Sequence, residues 1–270
     1  LSQRITRSGI EYLNNTMPGL FDHQVEGAMF LAVSQRALLL DEMGLGKTVQ
    51  AIAAACLLRE FDQVNSCLIV APKSVTEHWE NEIKRFAKED SVLIAGTPAY
   101  RADLYRDDCF FKLTTLESLR RDFPEVGEHD LIIVDEVHRA RTPTTLSNRV
   151  LRTFPSKFFI GLSGTAIEKS LLDLYGIMQV LRPPHLETQL QFFSSHLVCD
   201  DFGNPGYTLH PDFFYCRYAD HILRREKADI DAKIPALRID EVELPLTPIQ
   251  EALAEPIVAE LEEIKKRLEK

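Results

Sequence analysis

The stretch that decides the fold runs from Ala37 to Arg59 and reads ALLL-DEMGLGKT-VQAIAAACLLR. Residues 37–40 have the length and apolar composition of a buried strand, and residues 49–59 are typical of a helix. The polar turn between them contains Gly44 and Gly46, two of only 12 glycines in the chain. A strand that passes through a glycine turn into a helix is one unit of an alternating α/β fold.

Short apolar runs and helical patterns repeat this alternation along the chain. Further strands are predicted at 67–70, 92–95, 111–114, 131–134 and 157–163, and further helices at about 75–87, 116–121 and 171–181. Strands without a polar face predict a parallel sheet that is covered on both sides. We therefore predict an α/β fold with a doubly wound, mostly parallel sheet and helices on both faces. Ligands of such sheets bind beyond the carboxyl ends of the strands.

The last third of the chain departs from this pattern. Residues 189–221 form an aromatic-rich, loop-like stretch, which we interpret as an insertion packed on the core. Prolines at 235, 245, 248 and 256 are typical of a linker, and residues 257–270 have the pattern of a helix. We expect one domain over residues 1–235 and a linker with a helix over residues 236–270.

One spacing within the aromatic stretch could hold Zn²⁺. It combines His196 and Cys199 with Cys216 and His221. Because the order is unlike that of common zinc fingers and the surroundings are aromatic, we favour a packing role for these residues.

The composition excludes several classes of protein. The net charge is −10, from 31 Lys and Arg against 41 Asp and Glu, so the chain is not a basic, histone-like nucleic-acid binder. A local basic strip stays compatible with that total. No apolar run approaches the roughly 18 residues that a membrane span needs, so we expect no membrane partner. The five cysteines are odd in number and scattered, which is typical of a reducing, intracellular compartment.

The glycine turn has the residues of a phosphate-binding loop. Gly44 and Gly46 lack Cβ atoms, so backbone N–H groups can close around phosphate oxygens at the start of a helix. Lys47 is placed to reach the β- and γ-phosphates, and the Thr48 hydroxyl to bind Mg²⁺. The full pattern begins with Gly where this chain has Asp41, so the match is to the shorter G-x-G-K-T form. The alternative is a glycine turn with a surface lysine, but strand, glycines, Lys-Thr pair and helix all coincide here.

Acidic residues follow the predicted strand 131–134. We assign Asp135 to the Mg²⁺ shell and Glu136 to orienting the attacking water or accepting its proton. His138 is placed to link the nucleotide site to a neighbouring motif. Taken alone, these residues are also compatible with an acidic strand end and a solvated histidine.

Together these motifs resemble those of the Swi/Snf-type ATPases of helicase superfamily two, in the family's order from about residue 20 to 250. Gln24 resembles the adenine-reading glutamine. The other matches are 71–74 with Trp79, Glu82 and Phe86 (motif Ia), 114–117 (motif Ib), 161–166 (motif III), and 222–225 with Lys227 and 230–231 (the segment toward the second lobe). The chain has Leu116 for the usual Tyr, Ser163 for Thr and Ala166 for Pro.

The resemblance implies an N-terminal RecA-like motor lobe of a translocase that acts on double-stranded DNA, with ATP and Mg²⁺ as cofactors. It implies nucleic-acid contacts at Lys73, Ser74, Thr114 and Thr115. Ser163 and Thr165 would couple the nucleotide state to the DNA-facing side. We expect Trp79 to pack in the core rather than to stack on bases, and Arg224 and Arg225 to act as braces.

No stretch of the 270 residues resembles the second lobe's Gln-x₃-Arg-x₂-Arg motif, which carries the arginine finger. We therefore expect that lobe in the rest of a longer chain, and slow hydrolysis by these residues alone. The acidic charge predicts weak, salt-sensitive DNA binding. An RNA-directed helicase of the same superfamily and a nucleotide-controlled binding module stay open as alternatives. We expect a location with the DNA, in the prokaryotic cytoplasm or the eukaryotic nucleus.

Overall fold

The computed structural model describes residues 2–164, 171–183, 185–199 and 205–230. The chain divides into two compact units, 1–232 and 233–270, and all described residues belong to the first. Thr165, Ala166 and the linker and helix predicted for 236–270 lie outside the described residues, so the domain boundary at 235 stays a prediction.

The described strands form one large parallel sheet and one small ribbon. The strands are β1 (Arg36–Leu39), β2 (Cys67–Val70), β3 (Ser91–Leu93), β4 (Phe111–Thr114), β5 (Leu131–Val134), β6 (Phe158–Leu162), β7 (Leu197–Cys199), β8 (Pro205–Thr208) and β9 (Ile222–Leu223). Seven of them pair in the order β3-β4-β2-β5-β6-β1-β9, and every neighbour is parallel. β7 and β8 pair antiparallel.

Helices connect these strands. They are α1 (Ser2–Thr16), α2 (Asp22–Ser34), α3 (Lys47–Glu60), α4 (Thr76–Glu82), α5 (Pro98–Tyr105), α6 (Leu116–Asp122), α7 (Leu146–Thr153), α8 (Leu171–Leu181), α9 (Gln189–His196) and α10 (Pro211–Arg217). Short 3₁₀ turns at Lys73–Val75, Val137–Ala140, Ala219–His221 and Lys227–Asp229 and a π-helical turn at Ile83–Ala87 complete the described elements. None of the described helices is both long and apolar enough to cross a membrane.

Each face of the large sheet buries its own apolar cluster. Successive side chains of a strand point to opposite faces, so Leu39 and Ile133 join α2 and α3 in one cluster. Leu38 and Ile132 join the other cluster, with α7 and α8. Strands β2, β4, β5 and β6 are buried at every position; β2, β5 and β6 are apolar throughout, whereas β4 also buries Lys112 and Thr114. The predicted α/β fold class is confirmed.

The structure corrects three local predictions. The described part of the stretch 189–221 is not loop-like, because Thr188 and Gln191 form a capping box that starts α9, and Phe192 and Phe214 pack on Tyr175 of α8. The rings of Tyr175 and Phe192 stack with centroids 4.1 Å apart. The helix predicted for 75–87 ends its α-helical part at Glu82 and continues as the π-helical turn. The strand predicted for 92–95 is instead Ser91–Leu93 at the sheet edge.

The strand order places the predicted motifs together. β6 lies between β1 and β5, and all three run parallel. The segments that follow these strands therefore meet at the carboxyl edge of the sheet. β2 and β4 are also neighbours, so the segments that contain Lys73 and Thr115 meet at the same edge.

Candidate functional site

A cavity of about 490 Å³ opens at the carboxyl edge of the sheet. It is lined by the residues predicted to bind phosphate and Mg²⁺, which are Gly44, Gly46, Lys47, Thr48, Asp135 and Glu136, and by His138. Six other lining residues were not predicted as site residues; they are Met43, Val49, Val75, His78, Glu82 and Gly164. Glu82 was recognised only as part of a motif, and no local pattern indicates that α4 forms a wall of this cavity.

The backbone of the loop needs its glycines. Gly44 has φ +91° and Gly46 has φ +75°, in the left-handed region that L side chains rarely adopt. A Cβ atom at Gly46 would also lie 2.2 Å from Nε2 of Gln24. Gly46 directly precedes α3, whose first N–H groups have no acceptor within the helix. The loop thus has the backbone form and the helix terminus of an anion-binding site.

Lys47 is the cation of the cavity. Its Nζ donates to the carbonyl oxygens of Asp41 at 2.7 Å and Glu42 at 3.2 Å. Burial lowers the pKa of its ammonium, and the carboxylates of Asp41, Glu136 and Asp135 oppose that shift. A half-buried ammonium at the start of a helix is suited to an anionic group such as a phosphate.

Two acidic side chains stand opposite the loop, after β5. Asp135 accepts from the indole Nε1 of Trp79 at 3.0 Å and from the backbone N of Glu136 at 2.9 Å. Glu136 has φ +50°, a conformation that costs a non-glycine residue about 1–3 kcal/mol and often occurs at functional sites. Its Oε2 lies 3.1 Å from Nδ1 of His138.

His138 joins the acidic segment to the segment after β6. The same Nδ1 atom lies 3.0 Å from Oγ of Ser163. Two of the three predicted coupling residues, His138 and Ser163, are therefore in contact. Thr165, the third, lies outside the described residues.

A buried polar network supports the phosphate loop from the opposite side. The carboxylate of Asp41 is fully buried and accepts from Arg225 Nη2 at 2.6 Å, Arg225 Nε at 3.2 Å and Gln50 Nε2 at 3.1 Å. Arg225 also donates to the carbonyl of His23 at 2.7 Å. Arg225 is a brace, as expected, whereas Arg224 is exposed and pairs with Glu226. In the sequence, Asp41 was noted only because it stands where the full phosphate-loop pattern has Gly. Its position directly after a buried strand could have indicated a buried carboxylate with a partner.

Gln24, the predicted adenine reader, contacts the same loop. Its Oε1 accepts from the backbone N of Phe21 at 3.1 Å, and its Nε2 lies 3.5 Å from the carbonyl of Leu45. A second cavity of about 300 Å³ adjoins the start of α2 and is lined by Phe21, Asp22, His23, Glu26, Arg225, Asp229 and Ile230. The structure places Gln24 against the phosphate loop, and its reading of adenine stays a prediction.

The residues predicted to contact nucleic acid differ in exposure. Lys73 and Ser74 are exposed on the 3₁₀ turn after β2, and Thr115 is half-buried, where it caps α6. Thr114 is fully buried, and its hydroxyl lies 3.1 Å from that of Tyr105. The prediction of a side-chain contact at Thr114 is therefore corrected, because the last residue of an inner strand points into the core.

The residues of the possible zinc spacing have other neighbours. Nε2 of buried His196 lies 3.4 Å from Glu187 Oε1, and Nδ1 of His221 lies 2.8 Å from the carbonyl of Arg36. Among the described residues, no group of three or more His, Cys, Asp or Glu side chains is arranged to hold a metal ion. The side chain of Cys199 is outside that description.

Known proteins are similar to most of this chain. The model of the SNF2-related domain family matches residues 23–257. The chain is 28% identical to DNA repair and recombination protein RAD54 of Oryza sativa subsp. japonica, over 92% of this chain and 27% of the relative. It is 32% identical to Chromodomain-helicase-DNA-binding protein 1-like of Mus musculus, over 87% of this chain and 27% of the relative.

The fold also matches a solved structure, the Sulfolobus solfataricus SWI2/SNF2 ATPase core in complex with dsDNA. The TM-score is 0.69 at 28% identity, over 80% of this chain and 46% of that one. The chain therefore spans about a quarter of the two curated relatives and about half of the solved core. The resemblance to Swi/Snf-type ATPases is confirmed, and the chain belongs to the SNF2-related domain family.

Proposed function

We propose that this chain is the first RecA-like lobe of an ATP-dependent translocase on double-stranded DNA. The observation that carries the proposal is the single cavity that brings a glycine loop and Lys47 together with Asp135 and Glu136. A phosphate-binding loop that faces two carboxylates is the arrangement that hydrolysis of a nucleoside triphosphate requires.

The residues of the cavity fit ATP with Mg²⁺. Gly46 has a positive φ, and a Cβ there would meet the side chain of Gln24, so the loop has the backbone form of a phosphate cradle only with glycine at this position. Thr48 and Asp135 offer the oxygen ligands that Mg²⁺ prefers. When bound, Mg²⁺ neutralises charge on the phosphate oxygens. Lys47 holds the phosphates, and Gln24 reads the base.

Glu136 is the residue that acts on water. Glu136 lines the cavity, and its positive φ determines the direction in which the side chain leaves the backbone. We assign it to orienting the attacking water and accepting its proton. Its contact with His138, and the contact of His138 with Ser163, join this carboxylate to the segment after β6.

The DNA-facing side lies at the neighbouring part of the same sheet edge. Lys73, Ser74 and Thr115 are accessible there, at the ends of the adjacent strands β2 and β4. The solved SWI2/SNF2 core was obtained with double-stranded DNA, which supports duplex DNA as the partner. The names of the two relatives point to DNA repair and to chromatin, so we place the protein with the DNA of the cell.

Because the chain spans about half of the solved core, we propose that a second RecA-like lobe completes the motor. That lobe would supply an arginine finger, which is worth about 10³–10⁵ in rate. The 270 residues alone should then bind nucleotide, hydrolyse it slowly and bind duplex DNA weakly.

The test compares Lys47→Ala and Glu136→Gln with the unmodified protein, containing both lobes. Lys47→Ala should lose nucleotide binding, whereas Glu136→Gln should keep binding and lose DNA-stimulated hydrolysis. Retained partner function in Glu136→Gln would instead support a nucleotide-controlled binding module. Stronger stimulation by RNA than by duplex DNA would refute the assignment of DNA as the partner.

A further inference from the structure

Trp79 is a fully buried residue of α4 that reaches the acidic side of the nucleotide cavity. Its indole Nε1 donates to Oδ2 of Asp135 at 3.0 Å. An indole N–H is only a donor, so its partner oxygen must accept and is best an ionised carboxylate. The ionised form is also the one that coordinates a divalent cation.

The orientation of the Asp135 carboxylate is fixed from two sides. Oδ1 accepts from the backbone N of Glu136 at 2.9 Å, while Oδ2 accepts from Trp79. The backbone N of Asp135 donates to the carbonyl of Val70 at 2.8 Å and thereby continues the sheet. A carboxylate has about four acceptor positions, so these two donors leave each oxygen able to face a cation or its bound water.

Helix α4 and the turn before it form a wall of the same cavity. Val75, His78 and Glu82 line it, and Val75 and Glu82 lie four residues before and three residues after Trp79. Residues at these spacings share one face of a helix. The indole therefore joins the α4 wall to the carboxyl end of β5. The turn before α4 also contains the exposed Lys73 and Ser74.

We infer that Trp79 is a positioning residue that holds the Asp135 carboxylate in the orientation required for Mg²⁺. The inference rests on the proposed function, because it takes Asp135 as the Mg²⁺ carboxylate. Trp79 touches neither nucleotide nor metal in this scheme and acts through Asp135. Groups that orient the ligands of a metal commonly change metal affinity or activity by about 10–100-fold when they are replaced.

The test is Trp79→Phe, which keeps an aromatic ring and removes the N–H donor. Nucleotide binding to the 270-residue chain is measured as a function of Mg²⁺ concentration and again in EDTA. The Mg²⁺ concentration for half-saturation should rise by about 10–100-fold, while nucleotide affinity in EDTA stays unchanged. A role of Trp79 in packing alone would leave the Mg²⁺ dependence as it is.

Two further variants separate the possible outcomes. Tyr175→Phe removes another buried hydrogen bond, from the Tyr175 hydroxyl to the carbonyl of Glu187, and should leave the Mg²⁺ dependence unchanged. Asp135→Asn should abolish that dependence. If Asp135→Asn has no effect, the proposed function fails. If Asp135→Asn abolishes the dependence while Trp79→Phe equals the unmodified chain, the positioning role is overturned.

A second measurement needs no variant of Trp79. The chain has one tryptophan, so its fluorescence reports on this position alone. Adding Mg²⁺ to the nucleotide-bound chain should shift its emission, and Asp135→Asn should remove the shift. An emission that does not respond to Mg²⁺ in the unmodified chain would also overturn the inference.

Discussion

Replacing Arg225 tests how strongly the buried network supports the phosphate loop. The guanidinium of Arg225 makes two contacts with Asp41, at 2.6 and 3.2 Å, and the Asp41 side chain has no solvent exposure. In Arg225→Met, Gln50 would be the one donor to that carboxylate left among the described residues. The substitution therefore leaves a buried carboxylate without its directly paired cation, since Lys47 Nζ bonds to the backbone carbonyl of Asp41 and not to its carboxylate.

The expected cost follows from this burial. Removing one partner of a buried ion pair lowers the free energy of unfolding by about 3–5 kcal/mol. The neighbouring Arg224 is the matched control, because its only described ion pair is with Glu226 and both side chains are more than half exposed. Arg224→Met should lower the free energy of unfolding by less than about 1 kcal/mol. The double variant Asp41→Asn/Arg225→Met should regain part of the loss, since it no longer buries a charge.

The assay is urea unfolding at pH 7, followed by far-UV circular dichroism. A difference below about 1 kcal/mol between Arg225→Met and Arg224→Met would refute the reasoning. Equal stabilities of Arg225→Met and the double variant would show that the unpaired charge of Asp41 is not the cause. Nucleotide titrations of the same variants would show whether loop support also affects binding.

Three further predictions concern the loop, acid stability and thiol reactivity. Gly46→Ala should weaken nucleotide binding by about fivefold or more, since left-handed strain costs about 1–2 kcal/mol and the added Cβ meets the Gln24 side chain of α2, which together shift the loop from its binding form; Gly19→Ala, with φ +104° and no atom within 4 Å of its Cβ, should leave binding unchanged. Burial lowers the pKa of His129 to about 4 in the folded chain. As the pH falls below about 6.5, His129 is therefore protonated in the unfolded chain before it is protonated in the folded chain. The free energy of unfolding, measured with urea, should therefore fall by about 2 kcal/mol between pH 7 and pH 5. His129→Gln should show a smaller fall, and an equal fall would contradict the lowered pKa of His129. Burial raises the pKa of the Cys56 thiol to about 12, so a thiol reagent at pH 8 should modify exposed Cys216 in the folded chain and leave Cys56 unreacted.

Local patterns were sufficient wherever one segment determines its own structure. Uninterrupted apolar runs identified β2 and β5 at the residues where the structure has them, because a strand buried on both faces favours apolar side chains. The glycine loop was recognised because its backbone form and its chemistry depend on eight successive residues, 41–48. Parallel strands also bring their carboxyl ends to one edge, so the meeting of Lys47 and Asp135 could be predicted.

Contacts between distant segments were decided only by the tertiary structure. Arg225 and Asp41 are 184 positions apart, and Trp79 and Asp135 are 56 apart, so no local pattern links the members of either pair. The burial of Thr114 follows from the packing of Tyr105 against the end of β4. The sequence by itself thus determined the class of fold and the glycine loop that we propose binds phosphate. Tertiary packing decided which buried groups support that loop, because their partners depend on strand order and on helices that lie far away in the chain.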